Sequence, residues 1–400
     1  MGYFTAPQIA FGAGAIEQLS AIACTRACLV VDPSLVDHDR TKRIIEEIGK
    51  TGATVEVVDK VEIGPTLASI EPVVEDLRSF GPDWIVAVGG GSTIDTAKAG
   101  WVRYADPEVT LGSVTPLRDL GLRRKARLIA IPSTSGSGSE ASWQAHLRDP
   151  EGRLIEIASR ELVPDWALLD PLLPMSMPRE VLADTAADAF GHALEALVSE
   201  WSDPFSDAMA RETIRTAAEL FPRLMKDRDD LELRERWHAA ATMAGLAVSN
   251  AQTGAAHALA HALYPYVRLP HGRLVGIVLP YLLDFNYPSA RERYGTLASI
   301  FEDPVVRSRG HLAAHVQSLL SEIGLPATLS LAGVTPSAVE DHLEEIVQRA
   351  MSSSSARSNP RIASAAEWRG LVQQVLRGPV YTPDPMSRAE RPSGAGSPRS

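Results

Sequence analysis

The feature that most narrows the possible fold is a change of period part-way along the chain. Ala27-Cys-Leu-Val-Val-Asp32, Thr54-Val-Glu-Val-Val-Asp59, Trp84-Ile-Val-Ala-Val-Gly89 and Arg127-Leu-Ile-Ala-Ile-Pro132 are short β-branched runs that end in turn residues. Helical spacing lies between them, at Thr41 to Gly49 and again at Leu67, Ile70, Val74 and Leu77. Ser69 is the expected N-cap of the second helix, with Pro72 kept in its first turn. Strands alternating with helices require a parallel sheet covered on both faces. Beyond Pro178 the strand signals stop, and Ala-, Leu-, Glu- and Arg-rich segments continue to the 370s. The expected architecture is an α/β domain over residues 1–178 and an all-helical domain over 179–377. Ser352–Ser355 reads as a loop, and residues 378–400, rich in Pro, Ser, Gly and Arg, as a disordered tail.

Composition excludes several classes of function. A length of 400 residues, 45% of them hydrophobic, suffices for two packed domains. A net charge of −11 disfavours nucleic acid as a partner. No apolar run is long enough to span a bilayer, and the N-terminus lacks the pattern of a signal peptide. Cys24 and Cys28 are not spaced as Cys-x-x-Cys and read as reduced thiols of a cytoplasmic protein.

The third β-branched run leads straight into Gly89-Gly90-Gly91-Ser92-Thr93-Ile94-Asp95-Thr96-Ala97-Lys98. Glycines let backbone approach a pyrophosphate, and the helix that follows offers free N–H groups and a positive dipole end. Ile94 stands where the usual dinucleotide fingerprint has its third glycine, so the domain is Rossmann-like rather than standard. Gly89, Gly90, Gly91, Ser92, Asp95 and Lys98 are candidate cofactor residues. Ser92 and Asp95 also fit a capping box, which would make Asp95 structural. A second polar turn adds Ser133, Thr134 and Ser137 as contacts for phosphate, ribose or nicotinamide. Asp32, at a strand end, is placed to bind a ribose diol and repel a 2′-phosphate, favouring NAD over NADP; a plain Asp-Pro turn is the alternative.

Histidine spacing carries the second signal. His257 and His261 are one helical turn apart among Ala and Leu, and His271 follows a proline expected to end that helix. Upstream, Asp188 and His192 repeat the four-residue spacing. Asp188, His192, His257 and His271 make a four-ligand oxygen and nitrogen set suited to Fe2+ or Zn2+, leaving His261 for chemistry or for packing.

Together these motifs resemble the iron-containing (group III) alcohol dehydrogenases, within the dehydroquinate synthase-like superfamily. The resemblance runs from Tyr3 to Gln374 and includes Ile9-Ala-Phe-Gly-Ala-Gly, the glycine turn, Pro132 to Glu140 and Leu169-Asp-Pro171. It continues through Asp188-x-x-x-His192-Ala-x-Glu195, His257-x-x-x-His261, Pro270-His271-Gly272, Phe285-Asn286 and Ser358-Asn-Pro-Arg361. It implies one divalent metal in the interdomain cleft, a nicotinamide cofactor across the glycine turn, and His261 near the substrate, either behind the metal ligands or as a proton relay. The implied chemistry is hydride transfer between NAD(P) and a small alcohol or aldehyde, with the metal as Lewis acid. A homo-oligomer, with a dimer favoured, is the expected assembly. Three departures surround the site: Tyr264 after His261, Trp143, and Ile155 at a position where many members carry lysine. They predict an aromatic, lysine-poor wall that favours substrates with an apolar or extended portion over small polyols. A pathway-specific dehydrogenase acting on a peptide or phosphonate intermediate is the alternative. Cyclising lyases of the superfamily and a non-catalytic scaffold fit the residues less well.

Overall fold

A computed structural model describes residues 3–379 and 381. Six parallel strands form one sheet in the order β1-β8-β5-β4-β2-β3. They are β1 (Gln8–Phe11), β2 (Arg26–Val31), β3 (Thr54–Val58), β4 (Trp84–Gly89), β5 (Arg127–Pro132) and β8 (Trp166–Leu169). A separate antiparallel hairpin pairs β6 (Gln144–Arg148) with β7 (Leu154–Ala158). The four β-branched runs are β2, β3, β4 and β5. The strands β1 and β8, only four residues each, are too short to show a period of two.

Helix α1 (Asp39–Gly49) covers one face of the sheet, where Ile44 and Ile48 pack on Leu29, Val86 and Val88. The other face is covered by α2 (Glu71–Phe80) and α3 (Gly91–Ala105), whose Val73, Leu77 and Ile94 meet Ile85 and Ala87. Every residue of β4 is buried, as a central parallel strand requires. The chain runs outward from β2 to β3, then crosses back to β4 on the other side of β2. Strand order therefore reverses between β2 and β4, and a crevice opens at their carboxyl ends. α2 starts later than expected. Ile70 is its N-cap and Pro72 occupies the second position, while Ser69 exchanges hydrogen bonds with Thr66.

The helical half is built around α4 (Arg179–Val198), which is buried almost throughout from Leu182 onward. Its alanines let α5 (Pro204–Leu224), α6 (Leu231–Ala251) and α8 (His271–Gly295) approach closely. α7 (Ala255–Val267) ends at Arg268, whose φ of 53° is left-handed; Pro270 then serves as N-cap of α8 rather than as the terminator of α7. Ser352 still belongs to a helix, and Ser354–Ala356 forms a short 3-10 turn in place of the expected loop. The expected disordered tail, apart from 378, 379 and 381, lies outside the described residues. Among those described, no helix is long and apolar enough to cross a membrane.

Candidate metal centre and nucleotide cleft

Three helices bring four side chains together: ligand atoms of Asp188, His192 and His257 lie within 4.8 Å of one another, and His271 joins them beside Asp188. α4 carries Asp188 and His192, α7 carries His257, and His271 is the first residue of α8. The approach of α8 depends on Gly272, where a Cβ would stand 2.0 Å from Asp184 O and 3.0 Å from Asp188 Cβ. Asp188 Oδ1 lies 3.4 Å from His257 Nε2, 3.5 Å from His271 Nε2 and 4.0 Å from His192 Nε2. The His192 and His257 rings stack with centroids 4.6 Å apart. Asp188 Oδ1 and His257 Nε2 are both buried without a hydrogen-bond partner.

Buried polar atoms left this way are costly unless something satisfies them. A divalent cation among the three Nε2 atoms and Oδ1 would do so, and the hard-to-intermediate donor set suits Fe2+ or Zn2+. The electrostatics fit the same reading. Burial opposes ionisation of Asp188, yet the adjacent imidazoles overcome it and hold the carboxyl below the usual range. Burial pushes His192 down to about 4 and His271 down to about 3, so both rings are neutral at pH 7, as ligands must be. For His257, Glu195 and Asp188 outweigh burial and raise the pKa to about 9. Negative charge has been gathered there that a cation would answer. Glu195 also orients the ring. It accepts from His257 Nδ1 at 2.5 Å and from Ala256 N at 2.6 Å, leaving Nε2 to face the cluster. Asn359 braces α7 by accepting from Ala255 N and exchanging hydrogen bonds with Asn286, so the Asn-Pro-Arg element supports the site from behind.

His261 stacks on His271 at 4.6 Å and faces His146 at 6.0 Å. Burial holds its pKa well below the ordinary value, and its Nδ1 has no partner. It lines a cleft of about 310 Å³ shared with Asp188, His192, His257 and His271.

The opposite wall is the glycine turn. Gly91 and Ser92 line the cleft at the start of α3. A Cβ on Gly91 would stand 2.8 Å from Ser137 Oγ, so the two polar turns touch only because that position is bare. Thr134 lies 3.2 Å from where a Gly90 Cβ would be, and Ser133 N donates to Gly89 O. The expected capping box is absent, because Gly90 is the N-cap and no side chain caps it. Asp95 instead accepts from His146 N at 3.0 Å and borders the cleft. Lys98 is fully buried, and its ammonium donates to Ser142 O, Ser142 Oγ and Gln144 O. Those bonds anchor the β6–β7 hairpin and do not reach toward a phosphate. Asp32 sits beside this turn, since Val31 pairs with Val88, but its Oδ1 is taken by Ser34 N and Oγ.

The third wall was missed from sequence. Gln144, His146 and Arg148 alternate along β6 with their side chains in the cleft, joined by Leu154 and Glu156 of β7. The polar period of two in Gln144-Ala-His146-Leu-Arg148 was the available signal. The pleat also corrects the expected aromatic wall. Ile155 faces away, packing with the core beneath α3, because its neighbours Leu154 and Glu156 face the cleft. Trp143 is tied to α6, where its N and Nε1 donate to Ser249 Oγ and O. Only Tyr264 of the three departures borders the cleft, and Arg148 lies over its ring at 3.8 Å.

The sequence profile of iron-containing alcohol dehydrogenases matches residues 6–171, and that of the C-terminal region of the Fe-containing alcohol dehydrogenase family matches 182–376. The chain belongs to the iron-containing alcohol dehydrogenase family. It is 33% identical to the NADPH-dependent butanol dehydrogenase of Clostridium saccharobutylicum, over 94% of this chain and 98% of that one. It is 30% identical to the bifunctional aldehyde-alcohol dehydrogenase of Escherichia coli over 92% of this chain, spanning 45% of that longer protein. The solved iron-containing alcohol dehydrogenase of Thermococcus thioreducens superposes with a TM-score of 0.87 at 33% identity, over 95% of this chain and all of that one.

Proposed function

We propose that this family member interconverts a small alcohol and its aldehyde, using NAD(P) and one Fe2+ or Zn2+ held by Asp188, His192, His257 and His271. The observation that carries the reading is the pair of buried, partnerless ligand atoms, Asp188 Oδ1 and His257 Nε2, on a cleft whose other wall is a helix N-terminus. When bound, the ion supplies Lewis acidity toward the substrate oxygen and the nicotinamide carries the hydride. Glu195 keeps His257 in the tautomer that presents Nε2. The Gly90–Ser92 backbone N–H groups receive the pyrophosphate, with Thr134 and Ser137 beside them. His261, neutral at pH 7 and open at Nδ1, takes up or releases the alcohol proton, directly or through water. Asp32 contacts the adenosine ribose at the crevice between β2 and β4.

Both thiols are unpaired and pushed up to about 12 by burial, which fits a reducing cytoplasm. A homodimer is supported by β1, an edge strand with Phe11 73% exposed, a surface that proteins ordinarily cover. The test of the activity is anaerobic turnover of an aldehyde panel with NADH and NADPH. Chelator should abolish turnover and Fe2+ or Zn2+ should restore it. Turnover that survives complete metal removal would refute the reading.

A further inference from the structure

Beyond the metal cluster, the cleft holds one cation that the dehydrogenase reading leaves unused. Arg148 is half-buried, and its guanidinium carbon lies 3.8 Å from the Tyr264 ring centroid, with Nη1 donating to Gly152 O at 3.2 Å. No carboxylate among the described residues forms an ion pair with it; the Tyr264 hydroxyl is its other side-chain partner, and the residue lines the cleft. Glu156, on the facing strand, is already engaged: Gln144 Nε2 donates to its Oε1 at 2.8 Å and Ser354 Oγ to its Oε2 at 2.5 Å. The positive charge of Arg349 adds to the field at Arg148. The backbone of Arg148 is fixed on both sides, with its N donating to Pro65 O at 2.9 Å and its O accepting from Leu67 N at 3.2 Å. An arginine that is held rigidly, stacked on an aromatic ring and lacking a counter-ion is built to receive a planar or tetrahedral anion.

Its position fixes where that anion lies. His146, on the same face of β6, meets His261 next to the metal cluster. Arg148 is one strand repeat, about 7 Å, further out. We propose that the preferred substrate carries an anionic group, carboxylate or phosphonate, a short carbon spacer from the reacting carbon, and that Arg148 binds that group. This rests on the alcohol–aldehyde reading above and names its substrate class. Against the chain's net charge of −11, such a local cation favours the entry of an anion.

The test pairs aldehydes of matched length: succinic semialdehyde against butanal, and phosphonoacetaldehyde against propanal, with metal-loaded enzyme and NADH or NADPH. Wild type should favour an anionic member by about tenfold or more in kcat/KM. Arg148→Gln should raise KM for it about 100-fold with a much smaller change in kcat, while the butanal constants move far less. Arg148→Lys should recover part of the loss, because charge is kept and the fork is not. The two arms distinguish carboxylate from phosphonate. Equal losses on butanal and on the anionic aldehydes, or a wild-type preference for the neutral member of both pairs, would overturn the proposal. Calorimetric binding of 4-hydroxybutyrate and 1-butanol to the same proteins reads the contrast without turnover. Anion binding that depends on Arg148 in protein inactive on every aldehyde would support the anion site and break the dehydrogenase reading. Anion binding indifferent to Arg148 would overturn the anion site.

Discussion

The helical wall of the cleft and the sheet wall solve opposite problems. On the helical wall, side chains converge with their ligand atoms unspent: Asp188 Oδ1 and His257 Nε2 have no partner. On the sheet wall, the polar side chains are largely spoken for. Lys98 is consumed by the hairpin, one oxygen of Asp32 is taken by Ser34, and one of Glu140 by Thr242. What remains free there is backbone at the start of α3 and the space around it. The proposed metal wall is therefore defined by which side chains are present, and the proposed nucleotide wall by which are absent. A ligand deletion should damage the first, and an added methyl group the second.

The largest effect is expected from Asp188→Ala. Bound metal and activity should vanish together, activity falling by about 1000-fold or more, while NAD binding and the unfolding midpoint stay close to wild type. Metal analysis and NAD titration on the same preparation check both halves. Glu195→Gln should come next, weakening metal affinity by about 10–100-fold through loss of the carboxylate behind His257, as a competition titration with a chelator would read. On the other wall, Gly91→Ala should push Ser137 aside and weaken NAD binding by about tenfold with metal retained. Equal loss of metal in that variant would erase the distinction between the walls.

Lys98→Met sharpens the contrast, because a residue that anchors structure should cost stability and leave NAD affinity nearly intact. Burial lowers the Lys98 pKa to about 8 in the folded chain, below its ordinary 10.5. The unfolded chain then binds more protons between those values, so the Lys98 contribution to stability rises with pH from about 8 to 10.5, and below 8 its burial penalty is present in full. Urea unfolding across that range should show the wild type gaining on Lys98→Met by at most about 3 kcal/mol. The smallest effect is expected from Asp32→Gly, a narrowing of the NAD over NADP preference. A wild type that already prefers NADP(H) would remove Asp32 from the cofactor site.

The two walls were also unequally legible. Asp188, His192 and His257 announced themselves because polar residues at a helical spacing stand out against Ala and Leu, and a helix fixes which residues share a face. His271 was visible beside its proline, although it reaches the cluster through the helix start that Gly272 permits rather than through a broken helix. The four long β-branched runs were readable as strands for a similar reason. The hairpin was not. Its first strand holds only two polar repeats and its second, Leu154–Ala158, none, so the paired register decides which parity faces the cleft. That parity turned Ile155 inward and Arg148 outward, replacing an expected apolar wall with a charged one. Lys98 looked like a phosphate ligand because sequence gives its distance from the glycine turn and not the direction of its side chain. Backbone carbonyls of the hairpin, which no sequence pattern reveals, claim it.

The proposed metal ion sits among four side chains drawn from α4, α7 and α8. Anomalous diffraction at the iron edge, on crystals grown from anaerobically iron-loaded protein, tests this placement most directly. A single strong peak per chain is expected, within about 2.0–2.3 Å of a carboxylate oxygen of Asp188 and of the Nε2 atoms of His192, His257 and His271. A peak elsewhere, or a fully iron-loaded active enzyme whose metal touches fewer than three of these residues, would contradict it.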